Sequence, residues 1–350
     1  MIQPTAFIPS LLPGSTNNTT TTPTHVSTKS TQHRSRTSLR MSIQPAPIFN
    51  NAIGVHALVF SGELQTDKGC ETAVAGASKA GYDLLEVPLL ESISVDIMRK
   101  KLQRENLKVS CSLGLSFEDD ISNDNLEIVK KGETKLLKAV QTAAQLGSRV
   151  LTGVTYSALG KYKLPRTKKG VENCVRVLQR VAKACAQDGI RLGLEPCNRY
   201  ETNVINTVED ALDLIAMIGN PENMFVHPDI YHMNIEESNI VHAVLKAGQA
   251  KRLGYVHLGA SHRGYLGSGN IDFPKFLQVL VEINYQGPLV FESFSSKIIQ
   301  PQLSSALAIW REMWTDSHDI ASSARKFIDA EWTSAIRAVQ STPKIRSEPW

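Results

Sequence analysis

Residues 190–229 read IRLGLEPCNRYETNVINTVEDALDLIAMIGNPENMFVHPD. Ile190–Glu195 is short, apolar and closed by a carboxylate and a proline, the pattern of a buried strand. Thr207 is placed to cap a helix, with Asp210 three residues on. Val208, Ala211, Leu212, Ile215 and Ile218 then fall on one helical face. Gly219-Asn220-Pro221 stops the helix. Asn223–Asp229 is a second buried strand. Strand, loop, helix and strand in 40 residues make one βα unit of a parallel sheet.

The same alternation extends both ways. Buried strands are expected at Ile53–Phe60, Asp83–Val87, Leu107–Leu113 and Arg149–Val154, then at the two above, then at Leu253–His257 and Leu289–Glu292. Helical periodicity fills the intervals. It is clearest over Lys168–Asp188, where Val171, Cys174, Val175, Leu178, Val181, Ala182 and Cys185 share a face, making Cys174 and Cys185 core residues. Eight repeats over about 240 residues match a (β/α)8 TIM barrel, spanning residues 50–340. The rival is a doubly wound open sheet, but no Gly-rich turn follows the first strand. Gly267-Ser268-Gly269 comes late and marks only a turn. Residues 300–340 are expected to hold the eighth helix and extra C-terminal helices, with Trp310, Trp314 and Trp332 as packing residues.

The charge is unevenly spread. The 350 residues carry 38 Lys and Arg against 34 Asp and Glu, a net +4. Lys29, Arg34, Arg36 and Arg40 all precede the first acid, Glu63, so the rest of the chain is balanced at 34 of each. A neutral body argues against nucleic acid as partner, because phosphate affinity comes from clustered cations. Residues 1–42 hold 17 Ser and Thr and no acid. Such a stretch cannot bury enough apolar surface to offset its ordering entropy. Its composition is that of an organelle transit peptide. Residues 1–45 are expected to be a transit peptide or a disordered extension. Plastid import is favoured over mitochondrial, with a cytoplasmic form if translation starts at Met41. No apolar run is long enough to span a membrane. Five cysteines with no CxxC pair support neither a disulfide scaffold nor a structural zinc site.

In a barrel, chemistry sits at the C-terminal ends of the strands. There the fifth to eighth strands deliver Glu195, Asp229, His257 and Glu292, at intervals of 34, 28 and 35 residues. A buried carboxylate is costly unless paired or bound to metal. Four such groups on adjacent strands point to a divalent cation, with a rim network of ion pairs as the alternative. Three carboxylates and one imidazole suit Mn²⁺ first, then Co²⁺ or Mg²⁺, with Zn²⁺ less favoured. Glu201, His232 and Arg263, in the loops that follow, are placed to hydrogen-bond the hydroxyls of a polyol. His242 and His318 lie on predicted helices and receive no role.

The stretches LEPCNRYETNVINT (194–207), HPDIYHMNIEE (227–237), HLGASHRGYLGSGNIDF (257–273) and INYQGPLVFESF (283–294) closely resemble the ketose 3-epimerase family of xylose-isomerase-like TIM barrels. YDLLEVPLL (82–90) and TGVTYSALGKY (152–162) add to the resemblance, which covers about residues 53–294. It implies that Glu195, Asp229, His257 and Glu292 are the metal ligands, and that Glu195 and Glu292 double as the acid/base pair. It also implies that Glu201, His232 and Arg263 contact oxygens around C1 to C3 of the sugar. The sequence departs from the family pattern at His227, where an apolar residue is more usual. It departs again at Ala260, where many relatives carry a carboxylate.

The expected reaction is epimerisation of a ketose at C3, by proton transfer between two carboxylates through an enediolate on the cation, with no organic cofactor. Aldose–ketose isomerisation on the same site is the nearest rival. A metal phosphodiesterase of the AP-endonuclease type would need more His ligands, several zinc ions and a basic groove. A catalytically silent binding protein would not need four ligand-type side chains at four strand ends. The expected partner is a small sugar, a free ketose rather than a sugar phosphate. Neither nucleic acid nor membrane is expected as a partner, and the chain is expected to form a homo-oligomer, dimer or tetramer.

Overall fold

The structure, a computed structural model, describes residues 50–90 and 93–341. The expected transit or disordered segment lies outside the described residues. Eight parallel strands form one sheet in the order β6-β5-β4-β3-β2-β1-β8-β7. They are β1 Ile53–His56, β2 Leu84–Pro88, β3 Lys108–Ser112, β4 Val150–Thr152, β5 Arg191–Leu194, β6 Met224–Val226, β7 Val256–Leu258 and β8 Leu289–Phe291. Bridges between Val226 and Leu253 and between Asp229 and His257 close the sheet on itself. This is the (β/α)8 TIM barrel expected from the sequence.

Every strand but β2 is shorter than its apolar run, the first and the sixth by the most. The first ends at His56, and Ala57–Val59 turn into a 3-10 segment because the His56 ring accepts the Leu58 N–H. Hydrophobicity cannot separate that buried turn from a strand. The sixth ends at Val226, two residues before Pro228, which has no N–H for a ladder. The chain nevertheless stays alongside β7, and His257 donates its N–H to the Pro228 carbonyl at 2.9 Å.

Helices α1 Asp67–Lys79, α2 Val95–Arg104, α3 Leu126–Leu146, α4 Lys168–Gln187 and α5 Val208–Ile218 follow the first five strands. Of the face predicted for α4, Cys174, Leu178, Val181, Ala182 and Cys185 are buried, Val171 and Val175 are half-buried, and Val177 is buried beside them. Thr207 and Asp210 form the expected capping box on α5, and Gly219 ends it at a left-handed φ of 103°. After β6 come a short α6, Ile230–Glu236, and α7, Ile240–Gln249. The residues after Asp229 are thus helical rather than the loop expected. α8, Phe273–Glu282, follows β7, and α9 Pro301–Ala306 and α10 Ser317–Ser341 follow β8. α10 lies against α8 and closes the ring toward α1, and the Tyr82 hydroxyl donates to the Ala321 carbonyl. Among the described residues no helix is long and apolar enough to cross a membrane.

Of the three tryptophans, Trp314 is buried and Trp332 packs against the core, as expected. Trp310 does not pack: it is 72% exposed. It stands in the irregular link between α9 and α10, where Trp314 takes the buried place and donates its Nε1–H to Ser293 at 2.7 Å.

The barrel interior has two layers set by strand parity. Leu84, Val150, Phe225 and Val290 come from β2, β4, β6 and β8 and form one apolar cluster with Ala52 and Tyr255. Two residues further along the same strands or just past their ends stand Glu86, Thr152, His227 and Glu292. Packing of alternate strands into layers is usual for this fold. Here the upper layer is polar, so the groups that could do chemistry rest on a closed apolar floor.

Candidate metal and active site

Glu195 and Glu292 are each the first residue beyond a strand, β5 and β8. His257 lies within β7. Asp229 is the N-cap of α6, its carboxylate accepting the Tyr231 N–H at 2.8 Å. All four are buried, and one ligand-type atom from each lies within 4.8 Å of the others. The Nδ1 of His257 stands 3.3 Å from Glu195 and 3.6 Å from Glu292. The four residues read from strand ends therefore meet at one point of the barrel mouth.

Three carboxylates this close repel one another, and the cluster contains Arg263 against them. Its guanidinium reaches Asp229 at 2.8 Å and Glu292 at 2.7 Å. It lies over the Tyr231 ring, 3.9 Å from the centroid, a stacking that suits a planar cation. Its backbone takes a positive φ of 60°. The Ser293 hydroxyl holds the Arg263 carbonyl at 2.5 Å and itself accepts from Trp314. Asp229 Oδ2 is left buried without a well-directed hydrogen bond. This oxygen, paired with Arg263 but with no well-directed hydrogen bond, stands beside two further carboxylates and an imidazole, a donor set that fits a hard or borderline divalent ion.

The environment splits the two glutamates. Burial pushes the Glu195 carboxyl up, against the pull of His257. Burial acts on Glu292 too, but His257, Arg263 and His56 outweigh it and hold that carboxyl below its ordinary range. Burial alone would pull the His257 imidazolium down. Glu86, Glu292 and Glu195 around it outweigh that and push it well above the ordinary histidine value. Two carboxyls driven apart in this way can divide the roles of acid and base.

The other three predicted residues are also drawn in. The Nδ1 of His232, on α6, accepts from the Asn198 backbone at 3.2 Å and faces the Asn198 carboxamide at 2.8 Å. Its Nε2 edge therefore faces Asp229 at 3.7 Å and Arg263 at 3.3 Å. Burial pulls its pKa down to about 3, so the ring is neutral at physiological pH. Glu201 accepts from the same Asn198 carboxamide at 2.8 Å. Burial raises the Glu201 carboxyl. The β5 loop that carries these groups is pinned by the Tyr156 hydroxyl, which donates to the Glu195 carbonyl at 2.8 Å.

Two members of the cluster were not assigned from sequence. Asn198 links Glu201 to His232, and its only signal was its place three residues after Glu195. Glu86 lies under His257, as described below. Strand parity was the signal for it, since Glu86 follows the interior Leu84 by two residues. His242 and His318 lie on α7 and α10, outside the cluster.

A cavity of about 250 Å³ opens beside the cluster. Glu195, His257 and Glu292 line it, together with an apolar wall that includes Leu58, Leu113 and Phe294. Glu201, His232 and Arg263 do not line it; Arg263 contacts both Asp229 and Glu292, and His232 faces Asp229. A larger groove, about 910 Å³, is lined by α3, by Leu89, Leu90, Ile93 and Val95 and by Leu113, and includes none of the four converging residues.

The family model described as xylose isomerase-like TIM barrel matches residues 74–320. The chain is 47% identical over 277 residues to an L-ribulose 3-epimerase of Methylomonas sp. (strain DH-1), covering 79% of this chain and 96% of that one. The chain belongs to the ketose 3-epimerase family of xylose isomerase-like TIM barrels. It is an isomerase of the racemase and epimerase class. A ketose 3-epimerase of Arthrobacter globiformis is 43% identical over 290 residues, 82% of this chain and 99% of its own. The crystal structure of a Methylomonas sp. D-allulose 3-epimerase in complex with D-allulose aligns with a TM-score of 0.78 at 46% identity. That alignment covers 81% of this chain and 97% of the other.

Proposed function

We propose that the chain is a divalent-metal-dependent epimerase that inverts C3 of a free ketose. The observation that carries this reading is the meeting of Glu195, Asp229, His257 and Glu292 within 4.8 Å at the barrel mouth. The relatives named above support it: one is a ketose 3-epimerase and another is crystallised with D-allulose.

The four residues are the proposed ligands, with Mn²⁺ first and Co²⁺ or Mg²⁺ as alternatives. When bound, the ion supplies Lewis-acid stabilisation of the negative charge that develops on the sugar oxygens as the C–H bond breaks. Glu195 and Glu292 also move the proton. One removes it from C3 and the other returns a proton to the opposite face, so that the centre inverts. Each such transfer is worth about 10²–10⁴-fold. Arg263, His232 and Glu201 hold the hydroxyl end of the sugar, and the apolar wall keeps bulk water from the carbanionic centre. The scheme needs no organic cofactor.

The test is product analysis. The protein is incubated with Mn²⁺ or Co²⁺ and a panel of free ketoses and ketose phosphates. A new ketose inverted at C3 is the expected product. An aldose would make the enzyme an aldose–ketose isomerase.

The N-terminal residues are proposed to direct import into plastids, on the strength of their Ser and Thr content and lack of acid. A fluorescent protein fused behind residues 1–45 would be seen in plastids. Diffuse cytoplasmic fluorescence would refute the assignment.

A further inference from the structure

Beneath the four proposed ligands lies a fifth buried charge that the reaction does not use. Glu86 is fully buried in β2. Its Oε2 stands 2.7 Å from Nε2 of His257 and 2.7 Å from the Tyr255 hydroxyl. A carboxylate only accepts, so Tyr255 spends its proton on Glu86, and Ser110, 2.6 Å from that hydroxyl, donates to Tyr255 in turn. The other oxygen, Oε1, has no hydrogen bond. It faces Nε2 of His56 at 3.7 Å. Because Nδ1 of His56 accepts the Leu58 N–H, the His56 proton also points at Glu86. Among the described residues, the ion pairs of Glu86 are with these two histidines and with no Lys or Arg.

This arrangement decides which edge of His257 is free. A neutral imidazole carries one N–H, and a nitrogen that binds a metal must be bare. With Glu86 taking the proton on Nε2, the bare nitrogen is Nδ1, the one that faces Glu195 and Glu292. The tilt of the ring is fixed from the side. His227 meets it edge-on, with ring centroids 4.1 Å apart, and is itself held by Thr152 at 2.9 Å.

We propose that Glu86 is a positioning residue for the metal. It fixes the His257 tautomer and presents Nδ1 to the ion through its own contact with Nε2. The proposal rests on the metal reading of the site.

The test is Mn²⁺ affinity, measured by titration calorimetry on the wild-type chain and on Glu86→Gln and Tyr255→Phe. Thermal melting without added metal reports on folding. Loss of an outer partner of this kind costs about 10–100-fold in metal affinity, and that weakening is expected for Glu86→Gln. Tyr255→Phe leaves the carboxylate–imidazole pair in place and is expected to weaken binding far less. Should Glu86→Gln not fold, Glu86→Asp keeps the buried charge but withdraws it by one methylene, and weaker binding is again expected. Wild-type affinity in a folded Glu86 variant overturns the proposal. So does an equal loss in Tyr255→Phe, which would assign the effect to packing of the buried layer. A wild-type chain that binds no divalent ion overturns the metal reading itself, and this proposal with it.

Discussion

The guanidinium of Arg263 stands between two of the converging carboxylates, 2.8 Å from Asp229 and 2.7 Å from Glu292. Once His257 and the three carboxylates are all deprotonated, as ligands must be, one cation against three carboxylates leaves the cluster short of positive charge. The same side chain is held rigid by Tyr231 beneath it and by the Ser293 hydroxyl on its backbone. In the proposed reaction it serves charge balance and sugar orientation together.

Arg263→Lys keeps a charge but loses the fork and the stacking surface. A hydrogen bond to a charged group is worth about 1.5–3 kcal/mol, so kcat/KM for the best ketose should fall by about 10- to 150-fold. Steady-state kinetics at saturating metal check this.

Glu195→Gln and Glu292→Gln should each lower turnover by at least about 10²-fold, the smaller end of what one general acid or base contributes. Full activity in either variant would sink the two-base scheme.

Trp314→Phe removes the donor to Ser293, which in turn holds the Arg263 carbonyl. A buried neutral hydrogen bond contributes about 0.5–1.5 kcal/mol, so a rise in KM of about 2- to 12-fold is expected. An unchanged KM would separate the C-terminal segment from the site.

Metal binding should be linked to pH. Burial raises Glu195, and the surrounding carboxylates raise His257. Both are therefore protonated to higher pH than free side chains, and both must lose that proton to become ligands. Affinity for a divalent ion should fall as pH falls through the neutral range, and binding should release protons. Calorimetry in buffers of different ionisation enthalpy measures that release. Binding without proton release would contradict this assignment of the ligands.

The barrel was legible because each strand is a short apolar run and each helix carries its own punctuation. Thr207, Asp210 and Gly219 bound α5 where their chemistry demands. Residues at strand ends were legible for a related reason: a carboxylate closing an apolar run has few structural uses. Legibility failed where tertiary context decides. Ala57–Val59 are as apolar as a strand, but the His56 ring turns them into a 3-10 segment. Trp310 is as large and apolar as Trp314, yet one place at Ser293 was available and Trp314 fills it. Glu86 was passed over because its partners, Tyr255 and His257, are 169 and 171 residues away. Asn198 was passed over because a carboxamide in a polar loop looks like any other until Glu201 and His232 fold onto it.

The central claim is that a proton leaves C3 of a ketose and another returns to the opposite face. The most direct measurement is turnover in D₂O with Mn²⁺, followed by NMR of the products. The account predicts a ketose inverted at C3 that carries deuterium at C3 and nowhere else. Deuterium at C1 or C2 of an aldose, or inversion at C3 without any exchange with solvent, would contradict it.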